Sequence, residues 1–177
     1  MGLAIFLANA ATALTSAGIN MRRLQRKFYT HPTLTVAKDL LGKFLVCKVR
    51  GRVRVGMIVE TEAYIGPHDQ ASHAFGSKRT ARNEAEYLVG GHVYIYLVYG
   101  MYWQFNISTG REGVPECVLV RALEPIGPSP RGRGRSEDLH TYLTNGPGKL
   151  CRFLKLDKSF YGEDVTASKR LWVEDRR

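Results

Sequence analysis

Val93-Tyr94-Ile95-Tyr96-Leu97-Val98, Tyr99-Gly100-Met101 and Tyr102-Trp103-Gln104-Phe105-Asn106-Ile107-Ser108 read as strand, turn and strand. β-branched and aromatic residues fill both halves, and the glycine falls between them. Outward from this hairpin, Lys43–Val49 and Arg52–Val59 flank Arg50-Gly51 as a second one. Its later strand runs on through Glu60-Thr61-Glu62-Ala63-Tyr64 and breaks at Gly66-Pro67, and Cys117–Leu123 gives a further strand. Thr33–Leu41 reads as a short helix, with Thr33 as its cap after Pro32 and Gly42 just past its end. A second helix is expected over Lys149–Leu156, after Asn145-Gly146-Pro147-Gly148. Residues 66–92 are polar and irregular, with a helical turn near Asn83–Leu88, and residues 124–138 are a Pro-, Gly- and Arg-rich loop. Strands arrive in hairpin order and do not alternate with long helices. The pattern predicts a single α+β domain: a curved, mostly antiparallel sheet with a protruding β-hairpin and flanking helices.

The chain has 177 residues, 44% of them hydrophobic, which suits one domain with a core. A formal charge of +10 makes a polyanionic partner attractive, because Lys and Arg release counterions when they neutralise phosphates. The alternative is a soluble protein that is merely basic. Cys47, Cys117 and Cys151 are odd in number and far apart, which argues against a disulfide framework or structural zinc. His68 and His73 are five apart, not the four of a zincin helix, so no metal and no cofactor are expected. No apolar run is long enough to span a bilayer. Leu3–Leu14 is apolar, yet no basic residue precedes Arg22 as a signal peptide requires. Residues 1–20 are therefore expected to be a disordered or non-native extension, and 21–177 the domain. A non-secreted protein is expected, in cytoplasm or nucleoid if bacterial and in the nucleus if eukaryotic.

Several residues are suited to chemistry, each with a plainer alternative. Tyr94 and Tyr96 share a strand face and could stack on a base, although aromatic residues in strands are usually core. Tyr99 at a hairpin tip could wedge between base pairs. Glu60 and Glu62 also share a face, and a carboxylate at a strand end beside a loop suits a general base. A solvated acidic pair or a salt bridge to arginine would have the same spacing. The Asn145–Lys149 run opens a helix whose N–H groups could hold a phosphate, but it lacks P-loop spacing. Arg131-Gly132-Arg133-Gly134-Arg135 could grip a nucleic-acid backbone or be a basic linker.

Taken in order, these segments resemble the alkyladenine (3-methyladenine) DNA glycosylases of the methylpurine type. The resemblance rests on Val59-Glu60-Thr61-Glu62-Ala63-Tyr64, His73, Arg82-Asn83, the run Tyr94–Tyr102 and Asn106-Ile107-Ser108. It continues through Val120-Arg121-Ala122-Leu123-Glu124-Pro125 and Gly146-Pro147-Gly148-Lys149-Leu150-Cys151, covering about Leu40 to Trp172. The resemblance implies a base-excision repair enzyme that flips an alkylated or deaminated purine from double-stranded DNA and hydrolyses its N-glycosidic bond, leaving an abasic site. It implies Glu62 as the general base for water, with Arg121 beside that water. Tyr64, His73, Tyr96 and Asn106 would form the base pocket, Asn106 helping to reject undamaged guanine. Tyr99 would fill the gap in the duplex, and Lys149, Gly148, Met101 and Arg82 would meet the DNA backbone. Aromatic walls suit a cationic alkylated purine, worth about 0.5–2 kcal/mol per cation–π contact. No lysine matches a Schiff-base nucleophile, so a monofunctional enzyme without lyase activity is expected, working as a monomer and away from membranes.

Family members continue for several tens of residues past Leu171-Trp172, so the domain is expected to be C-terminally shortened, with an exposed sheet edge as the risk. That leaves a catalytically inactive lesion binder of the same fold as the alternative function. Two other classes compete: a nucleic-acid binder using Tyr94, Tyr96 and Arg121, and a sugar hydrolase using Glu60 and Glu62. A carboxylate beside phosphates speaks against the first, and the positive charge against the second.

Overall fold

The computed structural model describes residues 4–7, 21–126 and 144–176. The strands are β1 (Ala4–Leu7), β2 (Met21–Arg23), β3 (Phe44–Val49), β4 (Arg52–Tyr64), β5 (Val93–Val98), β6 (Tyr102–Ser108), β7 (Cys117–Ile126) and β8 (Leu171–Arg176). Among the described residues, the full α-helices are α1 (Arg26–Tyr29), α2 (Thr33–Asp39) and α3 (Pro147–Leu154). The eight strands form one sheet in the order β2-β8-β3-β4-β7-β6-β5, with β1 joined to β4, and every pairing among the described strands is antiparallel. This is the curled antiparallel sheet of an α+β domain that the hairpin order predicts.

The two turns read from sequence are present. Arg50 and Gly51 have φ of 51° and 74°, and Tyr99 and Gly100 have φ of 51° and 69°. Positive φ at both residues matches the twist of the flanking strands, in the two-residue loop at Arg50-Gly51 and at the start of the three-residue loop 99–101. The 93–108 hairpin projects from the sheet, with Tyr99 86% and Met101 62% exposed.

One face of the sheet carries the core. Ile58, Ala63, Val93, Ile95, Phe105, Ile107, Val118 and Val120 are buried there with Val36, Ala37 and Leu40 near α2 and Leu150, Cys151 and Leu154 of α3. The other face carries a smaller cluster of Ala85, Tyr94 and Cys117, with Tyr64, Leu88, Tyr96 and Tyr161 packed on it. The 3-10 turns between β4 and β5 supply Ala85 to this second layer.

An irregularity in the ladder decides which residues reach that second face. Between β4 and β7 the register runs Ile58↔Leu123, Glu60↔Ala122, Thr61↔Val120, so Val59 and then Arg121 are each left over. The two bulges compensate, and the strands stay in step on either side. A regular β4 would turn Glu60 and Glu62 to the face of Gly56 and Ile58, which is core. With the bulge, Thr61 and Ala63 take the core positions, the Thr61 hydroxyl donating to the Ala37 carbonyl at 2.9 Å. Glu60, Glu62 and Tyr64 then point the other way.

Several boundaries differ from the sequence reading. Thr33 does not cap α2; Pro32 precedes the helix, and the Thr33 hydroxyl is engaged with Thr109 at 2.7 Å and with Glu116. Helix α3 runs Pro147–Leu154 in place of Lys149–Leu156, because Pro suits a first turn and Lys155, at φ 63°, ends the helix. Strand β7 continues to Ile126, paired with Val55, into what reads as loop; Arg131–Arg135 lie outside the described residues. Of the segment 1–20, Ala4–Leu7 pair with Glu60–Ala63 on the edge that β3 leaves after Met57, and 1–3 and 8–20 are outside the described residues. Strands β2 and β8 have no counterpart in the sequence reading.

Candidate active site

The ladder places Glu62, Leu119, Asn106 and Tyr94 in one row across β4, β7, β6 and β5. Tyr64 lies two residues beyond Glu62, opposite Cys117, and Tyr96 two beyond Tyr94. Period-two alternation thus brings residues from four strands to one patch.

Glu62 is 2% exposed. One of its carboxylate oxygens accepts from the Tyr64 hydroxyl at 2.8 Å, and the other pairs with the Arg121 guanidinium. Arg121 also donates through Nε to Glu60 Oε1 at 2.9 Å. The acidic pair and the salt bridge read as alternatives in the sequence are therefore both present, joined through the arginine. Each carboxylate oxygen has a second lone pair, so Glu62 retains two acceptor sites. Burial, followed by the Glu62 hydrogen bond, raises the Tyr64 hydroxyl well above the usual phenol range, so it remains a donor at neutral pH.

Beside this group, Tyr64, Ala71, His73, Glu86, Tyr94, Tyr96, Asn106 and Cys117 surround a cavity. His73 reaches it from the β4–β5 connection, its Nδ1 2.6 Å from the Tyr94 hydroxyl and its ring 4.5 Å from that of Tyr96. Burial, then Arg82 and Lys78, lowers the His73 pKa, which favours the neutral imidazole. The Asn106 amide donates to the carbonyls of Tyr94 and Gln104, both at 3.2 Å. The space between these side chains is about 10 Å³, room for about one water but not for a purine, so a base can enter only if the rings part.

The remaining residues singled out in the sequence lie around this centre. The Arg82 guanidinium lies 5.5 Å from the Tyr96 ring centroid and donates to the Leu97 carbonyl. Tyr99 and Met101 are at the hairpin tip, roughly 10 Å along the strand from Tyr96. Gly148 is packed under Tyr102, where a Cβ would lie 2.9 Å from the ring, and Lys149 reaches Asn145 Oδ1 at 2.8 Å. Glu86 and Cys117 were not singled out as site residues: an acid in an irregular turn and a strand cysteine carry no pattern that marks them as pocket walls. Among the described residues, no group of three or more His, Cys, Asp or Glu gathers as a metal site.

Comparison with known proteins gives the family. The sequence model for the family described as Methylpurine-DNA glycosylase (MPG) matches residues 27–177. The chain belongs to the methylpurine-DNA glycosylase family. Relatives of this methylpurine-DNA glycosylase carry the name "Putative 3-methyladenine DNA glycosylase". One from Desulfitobacterium hafniense (strain Y51) is 45% identical over 164 residues, covering 88% of this chain and 81% of the relative. Those from Clostridium perfringens (strain SM101 / Type A) and Clostridium tetani (strain Massachusetts / E88) are 46% and 47% identical, each covering 86% of this chain and 79% of theirs. Membership makes the chain a DNA glycosylase of DNA repair, a hydrolase of N-glycosyl bonds.

Proposed function

We propose that this glycosylase extrudes a damaged purine from duplex DNA into the aromatic cavity and cleaves its N-glycosidic bond with water activated by Glu62. The observation that carries the reading is the buried Glu62 carboxylate, fixed between the Tyr64 hydroxyl and Arg121 at the edge of that cavity. As the bond to the base lengthens, the sugar becomes oxocarbenium-like. A fixed carboxylate stabilises that charge and takes the proton of the attacking water. Tyr64 and Arg121 hold the carboxylate in place, with Arg121 near the water. Tyr64, His73, Tyr96 and Asn106 enclose the base, and the rings attract an alkylated, positively charged purine. A damaged base also unstacks at less cost than an intact pair.

Tyr99, exposed at the hairpin tip, fills the gap in the duplex, while Arg82, Met101, Gly148 and Lys149 face the backbone. The enzyme acts as a monomer, without a covalent intermediate, and leaves an abasic site. The test is a duplex with one hypoxanthine, incubated with the protein and then cleaved at abasic sites by alkali. We expect lesion-specific cleavage that falls by a factor of about 10² or more in Glu62→Gln. Lesion binding without cleavage would make the chain an inactive binder, and cleavage unaffected by Glu62→Gln would remove Glu62 from the mechanism.

A further inference from the structure

Glu86 is 1% exposed, lines the same cavity as Tyr64, His73, Tyr96 and Asn106, and its Oε2 has no hydrogen-bond partner among the described residues. Buried carboxyl oxygens are rarely left in this state, and each such case requires an explanation. The turn that carries Glu86 is firmly held. Asn83 accepts from the Thr80 N–H at 2.7 Å and donates to the Lys78 carbonyl at 2.8 Å, and the Ala85 N–H donates to the Tyr161 hydroxyl at 2.9 Å. The Cys117 thiol donates to Glu86 Oε1 at 3.5 Å and lies 3.8 Å from Asn106 Oδ1, which ties the acid to the floor of the pocket. The site therefore has a carboxyl group held through Oε1, with no hydrogen-bond partner for Oε2 among the described residues, beside the cavity where a base would arrive.

We propose that Glu86 recognises the positive charge of the extruded base, pairing through Oε2 with a cationic N-alkylpurine and favouring it over neutral damaged purines. This rests on the glycosylase reading above. Among the described residues, no Lys, Arg or His forms an ion pair with Glu86. The titratable groups around it are Cys117 from β7, Tyr94 and Tyr96 from β5, Tyr161 from the segment after α3, Tyr87 of its own turn, and, across the cavity, Tyr64 of β4 and His73. Burial pushes the Glu86 carboxyl up to about 7, against the lowering effect of Asn83 and Cys117. A cation beside it offsets the penalty of burying the charge, whereas a neutral purine does not.

The experiment compares single-turnover release of 3-methyladenine from duplex DNA treated with dimethyl sulfate against excision of hypoxanthine from a single-lesion duplex. In Glu86→Gln, and in Glu86→Met, whose side chain has similar length, we expect 3-methyladenine release to fall about tenfold or more. Hypoxanthine excision should stay within about threefold. In the unaltered protein the ratio of the two rates should rise with pH through about 7, a readout that needs no variant, and it should be flat in Glu86→Gln. Equal changes on both lesions together with a flat wild-type ratio would overturn the proposal. A loss confined to hypoxanthine would also overturn it, pointing instead to proton donation to a neutral leaving base. If the unaltered protein excises neither lesion, the glycosylase reading itself fails and takes this inference with it.

Discussion

Glu60 and Glu62 stand two residues apart and share Arg121, yet their surroundings differ. The Glu62 side chain is 2% exposed and meets Tyr64 at the cavity edge, whereas that of Glu60 is 24% exposed and, among the described residues, pairs with Arg121 alone. Glu60→Gln should therefore slow hypoxanthine excision by less than about tenfold, through a loosened Arg121, well short of the loss in Glu62→Gln. The comparison is made by single-turnover kinetics at saturating enzyme. Glu86 adds a stability prediction. Its carboxyl is raised from the ordinary value to about 7 in the folded protein, so the folded state binds the extra proton between these pH values. Stability from this group is present at low pH and is lost as pH rises through about 7. Glu86→Gln should gain on the wild type by up to about 3 kcal/mol between about pH 5 and pH 8, read from denaturant melts at each pH. Sequence and structure agree on Glu62, Tyr64, His73, Tyr96, Asn106 and Arg121 as neighbours, and it was the motif resemblance that assembled them. Alternation along single strands could pair Glu60 with Glu62 or Tyr94 with Tyr96, but only the ladder registers bring these pairs together. Glu86 stayed hidden because burial of an acid is a tertiary property.

At the scale of elements, hairpins were legible and bulges were not. Residues 93–98 and 102–108 are rich in β-branched and aromatic residues on either side of a glycine turn, so their strand limits follow from local chemistry. The Val59 and Arg121 bulges contain no glycine, and nothing local announces them. Strands β2 and β8 are short and rich in charge, which hides a strand until its partner is known. The 93–108 hairpin also stores strain, because Tyr99 holds a positive φ of 51° that a bulky residue rarely adopts. Tyr99→Asn keeps a residue suited to the turn and removes the ring. It should raise stability by about 1 kcal/mol in thermal melts while weakening binding to a lesion duplex about tenfold or more. A variant that is destabilised would show that the ring supports the fold instead. Gly148→Ala tests the packing of α3 against the tip end of the same hairpin, where the new methyl would collide with Tyr102, the partner of Val98. A loss of about 1–3 kcal/mol is expected in the same melts.

On the scale of the whole molecule, the formal charge of +10 and the projecting hairpin set the terms of DNA association. Affinity for undamaged duplex should fall by about 10² between roughly 50 and 200 mM salt, the slope for about four neutralised phosphates. Fluorescence anisotropy at several salt concentrations measures it, and a flat response would argue against a backbone-led encounter. The sheet order runs from β2 to β5 with the charged Met21–Arg23 strand at one edge, which discourages edge-to-edge association. Between the rings lies a cavity of only about 10 Å³. A molecule that must part the rings to enter binds more weakly, in proportion to the time they spend apart. A tethered base is presented at high effective concentration by the DNA that carries it; a free one is not. Excised purine should then be expelled as the rings close again, leaving an enzyme with little product inhibition and poorly blocked by free purine analogues.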